Sequence, residues 1–133
     1  MMRVVIPSDS GFDYITCREM YYKYRLVLNE ESSFDDVLNN TYFYSFYDGS
    51  ELTLCVYFFV KADKLWVNGF GIRKKHLFNK KCFKLSLKWF NCDIWAESVQ
   101  KPAIFAIKTC GFKKYKDNIY VYRQNNRSLL QKG

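Results

Sequence analysis

The chain has 133 residues with only two prolines, six glycines and one histidine, and these scarcities exclude several classes of protein. So little proline and glycine, beside 49% hydrophobic and 20% aromatic residues, rules out a collagen-like or disordered chain. The longest apolar run, "LCVYFFV" from Leu54 to Val60, is strand-length and falls well short of the ~18 residues of a membrane-spanning helix. The opening "MMRVVIPSDSG" lacks the long apolar stretch of a secretory signal. The expectation is a soluble, cytoplasmic protein with no membrane partner. The five cysteines, Cys17, Cys55, Cys82, Cys92 and Cys110, contain no C-x-x-C pair, and His76 alone could join them. No metal site is expected from such spacing. The cysteines read as buried, reduced core thiols.

What the chain has instead is aromatic bulk and an uneven charge. A fifth of its residues being Phe, Tyr or Trp implies large, rigid core side chains or an aromatic surface awaiting a partner. The net charge of +8 is segregated. Residues 1–60 carry four basic and nine acidic side chains, residues 61–92 nine basic against Asp63 alone, and residues 93–133 eight basic against three acidic. A split of this kind suggests an anionic partner for the second half, or a dipolar surface.

Along the chain, "RVVIP" (residues 3–7) reads as a short strand ended by proline. "SDSGFDYITCREMYYKYRLV" opens with capping residues and becomes amphipathic, with Phe12, Ile15, Met20, Tyr24 and Val27 on one predicted face. A helical turn is expected at residues 34–38. Asp48-Gly49 and Ala62-Asp63 read as hairpin turns, which makes residues 41–47, 51–60 and 64–72 an antiparallel meander. "KKHLFNKKCFKLSLKWF" returns to a helical period, with Phe78, Cys82, Leu85 and Trp89 on one face and Lys80, Lys84 and Lys88 on another. "CDIWAESV" reads as a strand. "QKPAIFAIKTC" reads as a helix with Pro102 in its first turn and Gly111 as its stop. A last strand is expected over 115–124. One domain over residues 1–124 and a tail over 125–133 result.

In "SVQKPAIFAIKTCGFKK", Gln100, Ala103, Ile107, Gly111 and Phe112 match the spacing of Asn-x-x-Ala-x-x-x-Tyr-x-x-x-Gly-Phe. With this order of elements, the chain resembles the GCN5-related N-acetyltransferase (GNAT) superfamily. The resemblance implies a single-domain α/β fold, a mixed and mostly antiparallel sheet with helices on both faces. It also implies acetyl-CoA as cofactor, its pyrophosphate cradled by a glycine loop of the form Arg/Gln-x-x-Gly-x-Gly/Ala after the fourth strand.

Here that region reads "GIRKKHLFNKKCF", with no glycine between Ile72 and Phe83. Gly69 and Gly71 lie earlier, inside the predicted strand, where they mark a bulge or kink. The side chains left to grip phosphates are Arg73, Lys74, Lys75, Asn79, Lys80 and Lys81. Ile107 stands where the family places its acidic tyrosine, so the candidate catalytic residues are Glu97 as a base and Tyr115 as an acid. An open notch between the fourth and fifth strands would keep cofactor binding, and one filled by Leu77, Phe78 or Trp66 would end it.

Two functions are carried forward. The first is a non-enzymatic GNAT-fold binding or structural protein, without cofactor, of the virion-associated kind found in bacteriophages and so located in the host cytoplasm or the virion. The alternative is an acyl-CoA-dependent N-acetyltransferase with an atypical pyrophosphate-binding loop. The expected partner is a protein or an anionic ligand on the basic 73–88 segment. A nucleic acid is a further candidate there, with Trp66, Phe70 and Tyr115 available for stacking.

Overall fold

Turn chemistry lays out the sheet. Gly49 (φ 64) closes one hairpin, Ala62 (φ 52) and Asp63 (φ 62) close the next, and Asp117 (φ 52) closes a third near the end of the chain. In the computed structural model, which describes residues 1–28 and 30–124 (side chains of 26–28 aside), these turns join β2 (Tyr42–Asp48), β3 (Glu51–Lys61) and β4 (Lys64–Gly71). The third turn splits the expected last strand into β6 (Lys113–Lys116) and β7 (Ile119–Tyr122). Asp117-Asn118 is a turn-type pair, but it lies inside a β-rich run that reads as a single strand. With β1 (Met2–Val5) and β5 (Ile94–Glu97) the sheet has seven strands in the order β1-β2-β3-β4-β5-β7-β6. Every pairing is antiparallel except β4 with β5. The expected mixed α/β architecture is borne out.

Helix α1 (Tyr14–Leu28) starts where Asp13 accepts the Thr16 N–H at 3.1 Å. That hydrogen bond holds the Asp13 carboxyl below its usual range. Helix α2 (Phe34–Asn40) starts at Ser33, whose hydroxyl accepts the Asp36 N–H, with Asp35 and Asp36 in the first turn. Both starts satisfy orphan amides, and the acids of α2 also suit the positive end of the helix dipole. The buried face of α1 is Cys17 and Tyr21, with Met20 and Tyr24 beside them, whereas Ile15 is exposed. Ile15 lies two positions from Cys17, on the solvent side of the turn. Val27 and the tail expected over 125–133 lie outside the described side chains and residues.

The sheet separates two cores. On one face, Phe43, Cys55, Tyr57 and Phe70 meet Cys17, Tyr21, Phe34 and Val37 from α1 and α2. On the other, Val56, Phe58, Leu65, Val67, Ile94 and Ala96 meet α3 (His76–Leu87) and α4 (Lys101–Thr109). Leu85 and Trp89, expected on the buried face of α3, are 39% and 40% exposed, while Ser86 and Leu87 are buried. Trp89 still covers the edge of this core, its ring stacked 5.9 Å from Phe46. Four cysteines are buried as expected, and Cys92 is exposed because it follows α3 in a loop. Among the described residues, no helix is long and apolar enough to cross a membrane.

Candidate functional site

Among the described residues, the one parallel pair of strands is also the shortest ladder in the sheet's middle. β4 and β5 pair at Leu65↔Ile94 and Trp66↔Trp95, and then they part. Val67–Gly71 continue against β3, while Ala96 and Glu97 continue against β7. A V-shaped gap therefore opens towards the C-terminal ends of the two strands. Strand alternation assigns its faces: Val67 and Ala96 look towards α3 and α4, and Trp66, Asn68, Trp95 and Glu97 look the other way. Leu77 is 68% exposed, Trp66 turns to the opposite face onto Trp95, and Phe78 packs on the cluster that holds Val67 and Ala96.

α3 begins beside this gap, and its start is preceded by a 3-10 turn, Arg73–Lys75. The Lys75 N–H donates to the Ile72 carbonyl at 3.1 Å and the His76 N–H to the Arg73 carbonyl. No acidic residue sits in the first turn of either element. Three cations at the positive end of a helix are unfavourable unless balanced, and here the balance comes from the β2–β3 hairpin. The Lys75 ammonium lies 2.9 Å from Asp48 and 3.8 Å from Glu51, and that of Lys74 lies 3.6 Å from Glu51. The Asp48 carboxyl is pulled down to about 2, chiefly by its hydrogen bond with Lys75, and the Lys75 ammonium is pushed up by the same bond.

Asn79 is buried and structural. Its amide donates to the Thr53 carbonyl at 3.0 Å and to that of Ile72 at 3.2 Å, while its Oδ1 has no partner. Gly71 makes room for it, since a Cβ there would stand 2.8 Å from Asn79 Nδ2 and 2.7 Å from the Thr53 carbonyl oxygen. Lys80 is half-buried, and together with Lys84 its charge partly offsets the upward push that burial gives the Cys110 thiol. Arg73 and Lys81 are exposed.

Glu97 ends β5 opposite Ile119 and is exposed. Tyr115 lies in β6, its ring edge-on to Trp95 at 4.9 Å. The expected residues thus fall into two groups: those from Arg73 to Lys81 around the start of α3, and Glu97 with Tyr115 on the β5–β7–β6 half. Sequence reasoning missed a third group on the α1 and α2 face. The Tyr57 hydroxyl donates to Glu30 at 2.9 Å and accepts from Asn68 at 3.0 Å. Burial and the Glu30 charge push the Tyr57 phenol far above its usual range, so it stays protonated. It also borders a cavity of about 240 Å³ with Glu30, Asp36 and Asn40. No local motif marks three residues that are so far apart in sequence.

A backbone amide cradle for the pyrophosphate of acetyl-CoA is not built at this turn. The turn that should present free amides has bonded two of them internally, and the Lys74 and Lys75 ammonium groups lie against carboxylates.

No protein-family profile matches the chain, and no curated protein matches it in sequence. Solved structures do. A probable acetyltransferase from Staphylococcus epidermidis ATCC 12228 is similar with a TM-score of 0.64 and 14% identity, over 94% of this chain and 99% of that one. An acetyltransferase from Bacillus subtilis in complex with CoA gives 0.61 at 10% identity, over 93% and 99%. The KacTA–DNA complex gives 0.54 at 12% identity over the full length of both chains. At such identities the likeness is one of fold. The chain has the GNAT fold.

Proposed function

We propose that this is a GNAT-fold binding protein that acts on a macromolecular partner and does not transfer acetyl groups. The observation that carries this reading is the state of the 73–76 turn, in which the Lys75 and His76 amides are bonded internally and the Lys74 and Lys75 ammonium groups lie against carboxylates. A cradle that must surrender those bonds before gripping a phosphate starts at a disadvantage. The presence of a GNAT-fold chain in the KacTA–DNA complex supports a role in an assembly that includes nucleic acid. A virion-associated component is a narrower form of the same reading.

The test is calorimetric titration with acetyl-CoA and with CoA. No binding at millimolar ligand is the expected result, and micromolar binding overturns the reading.

One observation favours a second reading, an acyl-CoA-dependent N-acyltransferase with an atypical loop. β4 and β5 part as a pantetheine arm requires, and α4 buries none of its residues fully. In that reading the side chains of Arg73, Lys80 and Lys81 replace the amide cradle and Glu97 serves as base. Micromolar acetyl-CoA binding that disappears in Arg73→Ala/Lys80→Ala/Lys81→Ala establishes the grip, and loss of turnover with retained binding in Glu97→Gln establishes the base.

A further inference from the structure

The half of the sheet made by β5, β7 and β6 carries a third, smaller cluster built of strand residues. Trp66, Trp95 and Val121 are buried in it, with Phe59 and Ile119 packed beside them. Each indole is only 8% exposed, yet what lies over the rings is cationic side chain. The Lys61 ammonium stands 4.8 Å from the Trp66 ring centre, Lys64 stands 5.1 Å from that of Trp95, and the Arg123 guanidinium stands 5.6 Å from Trp95. Tyr115 meets the edge of Trp95 and is 55% exposed.

The register puts more cations on the same face. Lys113 pairs with Val121 and Lys116 with Ile119, and paired residues share a face. All four residues of the edge strand β6 are exposed. The carboxylates nearby are Asp63 in the β3–β4 turn, Asp117 in the β6–β7 turn, Glu97 at the end of β5, and Asp93, which takes Arg123 at 2.7 Å. Four lysines remain without an ion pair among those the structure gives: Lys61, Lys64, Lys113 and Lys116.

We propose that this face binds single-stranded nucleic acid. Phosphates would draw the lysines, whose stems are long and flexible. Bases would stack on the exposed Tyr115 ring and on indole surface uncovered as Lys61 and Lys64 swing away. A sheet face with aromatics beside unpaired lysines suits a flexible strand, because every base has a stacking face and every phosphate a charge. A hydrophobic protein partner would leave the lysines unsatisfied, and a rigid duplex offers no bases to stack. The edge lysines also discourage pairing of β6 with another chain. The inference names a partner for the binding role proposed above and rests on that reading.

Fluorescence anisotropy with a labelled 20-nucleotide oligo(dT) and oligo(U), on the full chain, tests it. Binding is expected at 50 mM salt. Raising salt to 200 mM weakens it about 50-fold, as four neutralised phosphates at a slope of about 0.7 each require. Tyr115→Ala weakens binding about 5-fold or more, the loss of one stacked base, and Tyr115→Phe restores it. Lys113→Glu/Lys116→Glu weakens it at least 10-fold, with far-UV circular dichroism checking the fold. Three results overturn the proposal: no binding at 50 mM salt, equal binding by Tyr115→Ala, or loss from Lys84→Glu/Lys88→Glu with none from the β6 pair. The last would move the site to α3. A dimer in sedimentation that Tyr115→Ala dissociates, without oligonucleotide binding, would assign the face to a second copy. Failure here with acetyl-CoA still unbound leaves the binding role without this partner, whereas acetyl-CoA binding overturns the reading above by itself.

Discussion

The Lys75 ammonium stands 2.9 Å from the Asp48 carboxylate, and this pair ties the β2–β3 turn to the start of α3. It joins the acidic first part of the chain to the basic middle across 27 positions of sequence. The same contact balances a helix start crowded with positive charge and occupies a lysine that a phosphate would need.

Acid titration reads this pair directly. Asp48 has its carboxyl lowered from an ordinary 3.8 to about 2 in the folded protein. A depressed carboxyl adds stability above the unfolded value, and that stability is lost as pH falls from about 4 to about 2. Circular dichroism at a fixed sub-denaturing urea concentration should show the native signal falling across that window. Asp48→Asn should be less stable at pH 6 and should lose that share of the acid response, and an unchanged acid curve would show that the pair contributes nothing.

Gly71→Ala should lower stability by about 1–3 kcal/mol, the usual cost of forcing atoms into a packed site. The new Cβ would stand 2.7 Å from a backbone oxygen of Thr53, which the Ile72 N–H and the Asn79 amide hold in place. Gly11→Ala is the control, because nothing lies within 4 Å of a Cβ there. Urea unfolding of the two variants separates crowding from the generic effect of removing a glycine.

Ala62 takes φ 52 in the β3–β4 turn, a conformation that crowds a Cβ against its own backbone. Ala62→Gly should therefore stabilise the protein by about 0.5–1 kcal/mol in urea unfolding, after the larger chain entropy of glycine is subtracted. A destabilised variant would mean that the alanine methyl makes a contact outweighing the strain.

Thiol titration at pH 8 should find one fast-reacting cysteine in the native protein and five after unfolding in urea. Cys92 is exposed, whereas Cys17, Cys55, Cys82 and Cys110 are buried; partial burial and the Asp93 charge push the Cys92 thiol up as well, so access and not acidity sets it apart. Burial pushes the Cys82 thiol up to about 11 and Cys55 well above its usual range, so neither offers thiolate to a reagent. Cys92→Ser should abolish the fast phase, and a fast phase surviving that change would show that one of the buried thiols is reached without unfolding.

Much of the fold was legible in the residue order. Hairpin turns at Asp48-Gly49 and Ala62-Asp63, a proline-started helix at residue 102 and a glycine stop at Gly111 are local signals, because each depends on what one short stretch of backbone can adopt. The break at Asp117 was missed although Asp117-Asn118 is turn chemistry, because the β-rich run around it reads as one continuous strand. Faces of helices were read less well. Ile15 and Leu85 have core chemistry but look outward, because the direction of the sheet, and not the period alone, decides which side of a helix is covered.

The sequence by itself determined the order of strands and helices, the basic second half, the missing glycine loop and the isoleucine at position 107. Those follow from residue types and spacing. Only the tertiary structure decided where the charges went. It drew Lys74 and Lys75 to Asp48 and Glu51, joined Glu30, Tyr57 and Asn68 through one phenol, and set Tyr115 against Trp95 under a cover of cations. Each of these contacts joins residues on separate elements. Strand order and register alone bring them within reach, and a linear pattern has no means of encoding a distance across the sheet.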